Sequence, residues 1–312
     1  MKLLVTGASG FIGHNVLLRA PRDWDITAVH HATDLADFVA RQGLRHVRAV
    51  RCNLADPEEV RRMLGAAGPW DACLYLAANG DPTRSEAAPR WDLELNTVAL
   101  INLLDAVTLG HLVYVSSGAV YHGLTGPVSP STPIDPTLPY AISKLASERY
   151  VRFFAERRRN PHTYAVVRFF GAYGPYEPPR KITTRLILDL GLEGKRTFTL
   201  RGDGKNLIDF MYVDEAVDGF LSLVQADGHR VLDFPCGSPV TLDELVQAAA
   251  EALGVTVEIR HEGRTAEHNQ FYSVDRTMQD VFGVKPVIPL HEGLSQLAAH
   301  LRRQTGTGCA TA

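Results

Sequence analysis

The chain lacks most features that would assign it at a glance. Its four cysteines (Cys52, Cys73, Cys236 and Cys309) are scattered and show no CxxC spacing. In a chain of 312 residues they read as free thiols in a reducing compartment, not as a disulfide framework, so a cytoplasmic location is expected. No apolar run approaches the length of a bilayer span, and no membrane association is expected. Charge of one sign does not accumulate. The formal net charge is −3, which leaves no broad footprint for nucleic acid or an anionic membrane. The twelve histidines contain no HExxH, and the one adjacent pair, His30-His31, would point to opposite faces of a strand, so no metal site is expected. There is no internal repeat. The N-terminus passes from a short apolar run directly into glycines, which reads as a strand of the fold and not as a cleavable signal.

What is present is an ordinary globular composition, 45% hydrophobic and 21% charged, sufficient for one large domain or two smaller ones. Short apolar segments at 2–5, 26–29, 46–50, 72–77, 112–116 and 164–169 predict strands. Helical periodicity predicts helices ending near 20 and over 56–64, 92–107 and 140–156, the last introduced by Pro139. Strands alternating with helices imply an α/β fold, a parallel sheet with helices on both faces. After Gly171 the pattern changes. Gly174-Pro175-Tyr176-Glu177-Pro178-Pro179 can continue neither a helix nor a central strand. Helices are predicted at 182–190 and 241–252, the second with Thr241 and Glu244 at capping-box spacing, and a strand at 255–260.

Between the first strand and the first helix lies Thr6-Gly7-Ala8-Ser9-Gly10-Phe11-Ile12-Gly13. Gly7 allows a tight turn, Gly10 lets backbone approach a pyrophosphate, and Gly13 allows close helix packing, with the helix N-terminus facing the anion. This predicts a Rossmann-type, doubly wound dinucleotide-binding part at 1–171 plus about 208–235. A smaller α/β substrate part is expected at about 172–207 plus 236–303, and a mobile tail at 304–312. Tyr140 and Lys144 are four residues apart, which stacks them on one helix face. A Tyr normally keeps its proton to about pH 10, and a neighbouring cation favours the phenolate.

These segments occur in a recognisable order: the glycine loop, Leu76-Ala77-Ala78, Ser116-Ser117-Gly118-Ala119-Val120-Tyr121, Tyr140-x-x-x-Lys144, Arg168-Phe169-Phe170-Gly171-Ala172-Tyr173-Gly174-Pro175, Gly202-Asp203-Gly204 and Tyr212-Val213-Asp214. The chain resembles the extended short-chain dehydrogenase/reductases, and within them the NAD-dependent epimerase/dehydratase group acting on nucleotide sugars. The resemblance covers nearly the whole chain. It implies that Tyr140 moves the proton of the reacting hydroxyl or carbonyl, that Ser117 hydrogen-bonds the same oxygen, and that Lys144 binds the nicotinamide ribose and lowers the Tyr140 pKa. It implies cofactor contacts at Gly7, Gly10, Phe11, Ile12, Gly13, Asn53, Leu54, Leu76, Ala77, Ala78, Ser116 and Phe169, with Asn96 behind the cofactor. Substrate contacts are implied at Arg84, Ser117, Gly118, Tyr140, Gly171 and Arg264. It also implies a homodimer built from the helices that carry Asp92 and Tyr140.

The chain departs from the pattern at several points. His30 stands where NAD-dependent members carry an acid for the adenosine ribose. It could bond a ribose or help accept a 2′-phosphate, so NAD is expected and NADP stays open. Gly118 and Ala119 replace the Asp-Glu pair of the 4,6-dehydratases, which argues against dehydration. Gly171 replaces an Asn near the diphosphate, and Ile208 replaces a phosphate-binding Arg. The expectation is an NAD-dependent nucleotide-sugar epimerase, acting at C4 through a transient 4-keto intermediate. A 4-keto-sugar reductase using NAD(P)H and a non-catalytic dinucleotide-binding module are the alternatives.

Overall fold

A computed structural model describes residues 1–263 and 269–304. Seven strands form one parallel sheet: β1 (Lys2–Thr6), β2 (Asp25–His30), β3 (Val47–Arg51), β4 (Trp70–Tyr75), β5 (Leu109–Ser117), β6 (Thr163–Phe169) and β7 (His229–Phe234). Their order is β7-β6-β5-β4-β1-β2-β3, so strand order reverses between β1 and β4. Open α/β sheets bind ligands at this switch point, outside the carboxyl ends of the strands. The central strands are apolar on both faces, as in Leu3-Leu4-Val5, because helices cover both.

One face packs against α1 (Phe11–Arg19), α2 (Ala36–Arg41) and a later helix, α9 (Val213–Val224), burying Leu17, Val217 and Phe220. The other carries α3 (Pro57–Val60), α6 (Ala99–Ala106) and α7 (Pro139–Phe153), with Leu100, Leu103 and Val151 inside. Each such side chain contributes about 1.5–3 kcal/mol on full burial. Two short helices, α4 (Pro82–Ala87) and α5 (Pro89–Leu93), lie between β4 and α6, and α8 (Ile182–Leu186) follows β6. A third cluster, separate from the sheet, joins Leu186, Phe198, Leu245, Val246, Leu294 and Leu297. Its helices are α8, α10 (Leu242–Leu253) and, after the four-residue α11 (Thr277–Asp280), α12 (Leu290–Gln304). Thr241 and Glu244 do form the reciprocal capping box at the start of α10.

The structure revises several expected elements. The sheet has a seventh strand, β7, where the sequence suggested six strands before the change of pattern. The strand expected at 72–77 is Trp70–Tyr75, because the Leu76 and Ala77 amides turn to the Thr6 hydroxyl, each at 3.2 Å. The strand expected at 255–260 is Glu258–Glu262, pairing parallel with Thr197–Arg201. The helices expected at 56–64, 92–107 and 140–156 each include a π-helical turn, at Arg61–Gly65, Glu94–Val98 and Phe154–Arg158. The tail beyond Gln304, with Cys309, lies outside the described residues. Cys52, Cys73 and Cys236 are free. Among the described residues no helix is long and apolar enough to cross a membrane.

Candidate active site

The carboxyl ends of β1 and β4 meet at Gly7. Its φ of 65° lies in the left-handed region, and a Cβ there would fall 2.8 Å from the Ala77 nitrogen. A Cβ on Gly13 would fall 2.5 Å from the Gly7 carbonyl oxygen, so α1 can approach β1 only with glycine there. A Cβ on Gly10 meets nothing nearer than the Gly7 oxygen at 3.1 Å. Gly10 is the N-cap of α1 and supplies no side-chain cap. The first amides of α1 are thus left for an anion, and the glycine cradle fits a dinucleotide pyrophosphate.

A cavity of about 350 Å³ opens from this loop. Gly7, Gly10, His30, Asn53, Leu54, Leu76, Ala77 and Ala78, all among the expected cofactor contacts, line it. Ser9, Thr33, Leu95 and Ala99 line it too and were not anticipated. Thr33 follows the His30-His31 pair, and Leu95 and Ala99 flank Asn96, so proximity in sequence was the available signal. Asn53 fixes its own loop by accepting the Ala55 amide at 3.1 Å. His30 is buried at the end of β2, and its Nδ1 donates to the Thr33 carbonyl at 3.1 Å. A carbonyl only accepts, so in a neutral ring Nε2 is left as an acceptor. Nε2 lies 4.0 Å from the Asp34 carboxylate.

Phe11, Ile12 and Gly13 belong to α1 behind the loop. Asn96 is fully buried and does not line the cavity. Its Oδ1 accepts the Asn79 amide at 2.7 Å, and its Nδ2 donates to Asp92 and Ser143 at 2.9 Å each. Phe169 packs in the core against Phe220 and Phe234. Ser116, expected at the cofactor, is committed elsewhere: its hydroxyl donates to Glu148 at 2.6 Å. Glu148 in turn pairs with buried Arg168 at 2.9 Å. Strand alternation sends Ser116 and Ser117 to opposite faces of β5.

Ser117 and Tyr140 are brought together by β5 and α7, with the Ser117 hydroxyl near enough to favour the Tyr140 phenolate. Ser117 Oγ also accepts the Ala119 amide at 3.1 Å. The start of α7 is anchored on α4, because the Tyr140 amide donates to Ser85 Oγ at 3.1 Å. Lys144 is 4% exposed, its Nζ donates to the Val115 carbonyl at 2.9 Å, and it stands 6.0 Å from the Tyr140 ring centre. Burial lowers its pKa to about 8 against the pull of Asp92 and Glu148. The expected lowering of the Tyr140 pKa is not what this geometry gives. Burial raises it, the Ser117 hydroxyl opposes the rise, and Asp92 adds to it.

A second cleft, about 400 Å³, opens in front of Ser117 and Gly118. Phe170 covers Gly118 so closely that a Cβ would lie 3.2 Å from its ring. Ile208, Asp209 and Phe271 form another wall. Gly171, with φ at 131°, sits beside it and accepts the Met211 amide at 3.2 Å. Arg84, expected at the substrate, instead lies 3.8 Å over the Trp91 ring and is not among the lining residues. Glu86, on the same helix, is among them. Arg264 lies outside the described residues.

A doubly wound sheet, a glycine cradle at its switch point and a Ser–Tyr–Lys set at the next strand end define a dinucleotide-binding enzyme of the short-chain dehydrogenase type. The NAD dependent epimerase/dehydratase family model matches residues 3–233, and the chain belongs to that family of enzymes. It is 30% identical to a dTDP-glucose 4,6-dehydratase of Streptomyces griseus over 95% of this chain and 93% of that one. It is 27% identical to a UDP-glucose 4-epimerase of Mycolicibacterium smegmatis, over 98% of this chain and all of that one (100%). The structure of MoeE5 in complex with UDP-glucose and NAD superimposes with a TM-score of 0.84 at 27% identity, covering 98% of this chain and 100% of that one.

Proposed function

We propose that the protein is an NAD-dependent nucleotide-sugar epimerase, acting at C4 through a transient 4-keto sugar. The observation that carries this reading is the pairing of Ser117 and Tyr140 beside Lys144, with no carboxylate at Gly118 or Ala119. Bound NAD supplies a reversible acceptor of hydride. The chain's own residues would hold it at the glycine loop, Asn53, Leu54, Ala77 and Ala78, and at His30. A neutral His30 offers Nε2 to a ribose hydroxyl, the same acceptor role as the usual acid. The Asp34 carboxylate nearby opposes a 2′-phosphate, which supports NAD over NADP.

Ser117 and Tyr140 would converge on one substrate oxygen. Removal of hydride from a carbinol requires its hydroxyl proton to leave, so a base must stand within hydrogen-bond reach. The Ser117 hydroxyl favours the phenolate, and the buried Lys144 ammonium favours negative charge on that side. In the return direction Tyr140 is a phenol ready to donate. Phe170 stacked on Gly118 occupies the place from which an acid beside Ser117 would act, and this disfavours dehydration. The separate cluster around Leu186, Leu245 and Leu294 supports a substrate part made of 172–207 and 236–303. Apolar side chains exposed on α5 and α7 support a homodimer.

The test is incubation of the purified protein with UDP-, dTDP-, GDP- and CDP-hexoses, following isomer ratios by NMR without added reductant. Interconversion of C4 epimers is expected, and Tyr140→Phe should lower kcat by at least about a hundredfold. A 6-deoxy-4-keto product, or turnover only with NADPH consumed, would overturn the reading.

A further inference from the structure

Two carboxylates line the cleft in front of Ser117, with His122 as the titratable base among the described lining residues. Among the described residues that line it there is no Lys and no Arg, whereas Glu86 and Asp209 both do. They arrive from separate elements. Glu86 projects from α4, next to Ser85 of the same helix, which accepts the Tyr140 amide. Asp209 lies between the short strands Leu207–Ile208 and Met211–Tyr212.

Asp209 is only 5% exposed. Its Oδ1 accepts the Gly237 and Ser238 amides at 2.9 and 3.3 Å. Its Oδ2 is buried and has no hydrogen-bond partner. A buried acceptor without a donor costs about 1–3 kcal/mol, a cost that a ligand donor at this wall would relieve. Glu86 is exposed at the rim. Ile208, Phe170 and Phe271 supply apolar wall beside the polar Thr83, His122 and Asn269.

We propose that this subpocket selects the sugar ring by charge: it accepts a ring that presents hydroxyl or ammonium donors to Asp209 and Glu86, and it rejects a uronic acid. The inference rests on the nucleotide-sugar reading above. A ring carboxylate would be a third negative group beside buried Asp209 and the rim carboxylate of Glu86, where juxtaposed like charges are unfavourable. An ammonium would gain charge-assisted hydrogen bonds in the same place.

Calorimetry on the NAD-loaded protein tests this without relying on turnover. UDP and dTDP are titrated first, and whichever binds is then compared as its glucose, glucosamine and glucuronic acid conjugates. The glucuronic acid conjugate should bind at least about tenfold more weakly than the glucose conjugate, and the glucosamine conjugate at least as tightly as glucose. Glu86→Gln and Asp209→Asn should each narrow the gap, and Glu86→Lys should close or reverse it. Titration of the nucleotide alone reports whether each variant keeps its fold, and Glu86, at the surface, is the safer of the two positions. Equal affinity for the three sugars, or a gap unchanged in Glu86→Gln and Asp209→Asn alike, would overturn the proposal. Failure of both UDP and dTDP to bind would instead remove the nucleotide-sugar reading on which it stands.

Discussion

Lys144 shows how burial reshapes a residue whose role looks simple in sequence. Four-residue spacing places it beside Tyr140, but it cannot reveal that Lys144 is buried while Tyr140 is only half-buried. The ammonium titrates at about 8, below its usual 10.5. Between those values the unfolded chain holds a proton that the folded protein has lost. Stability of the wild type therefore rises with pH across that window. Lys144→Met has no such proton, so it should be the more stable protein at pH 7. Its advantage should shrink by about 2–3 kcal/mol by about pH 10, as urea denaturation at the two pH values would show. Activity should fall as pH rises through about 8, because the Lys144 cation is lost there. His30 makes a second residue-scale prediction. If its neutral Nε2 accepts from ribose, His30→Asp keeps the acceptor and should leave the NAD dissociation constant within about threefold, with NADP binding at least about tenfold weaker than NAD in both proteins. Fluorescence titration with each dinucleotide checks this, and tighter NADP binding to the wild type would sink the assignment. The glycine loop was legible because its chemistry is local: each glycine answers to backbone within one turn or an adjacent strand. Arg84 was not, because its ring partner, Trp91, lies across the break between α4 and α5.

At the scale of elements, the resemblance put Asn96 behind the cofactor, and its side chain ties neighbouring elements together. Asp92 is fully buried on α5 and accepts from Asn79 Nδ2 at 2.7 Å, Asn96 Nδ2 at 2.9 Å and Ser143 Oγ at 2.6 Å. Ser143 lies on α7 next to Lys144, so this network fixes the helix that carries Tyr140. A single acceptor serving three donors tolerates no exchange. Asp92→Asn would turn one acceptor into a donor facing donors, and it should cost about 2–4 kcal/mol, read as a lower urea midpoint with an unchanged slope. Ser143→Ala removes one donor to Asp92 and the oxygen that accepts from Asn96 Nδ2, and should cost about 1–2 kcal/mol. Alternating strands and helices were readable as far as β6 because the central strands are continuously apolar. β7 was missed for a physical reason. It is an edge strand, and His229, Arg230 and Asp233 interrupt its apolar pattern. Asp233 is there to accept the Tyr121 hydroxyl at 2.8 Å, a contact spanning 112 residues that no local pattern announces.

For the molecule as a whole, the distribution of exposed apolar side chains is uneven. Ten large hydrophobics are exposed among the described residues, and five of them, Leu93, Val98, Ile142, Tyr150 and Phe153, lie on the α5–α6 segment and on α7. These two segments pack side by side, which brings exposed apolar side chains onto adjoining helices. Exposed apolar residues scattered singly need no explanation, but a patch on two adjoining helices does. A second copy related by a twofold axis would cover the patch with itself, pairing four helical segments, and each side chain withdrawn from water would contribute up to about 1.5–3 kcal/mol. The same helices hold Tyr140, Lys144 and the Asp92 network, so association would also stiffen the element that positions the reacting groups. Multi-angle light scattering should give twice the chain mass for the wild type. Ile142→Glu combined with Phe153→Glu places two charges in the patch and should return the single-chain mass, with a lower thermal midpoint that no longer depends on protein concentration. A wild-type protein that runs at the single-chain mass across micromolar concentrations would refute the twofold contact. A double variant that stayed at twice the mass would move it to another face.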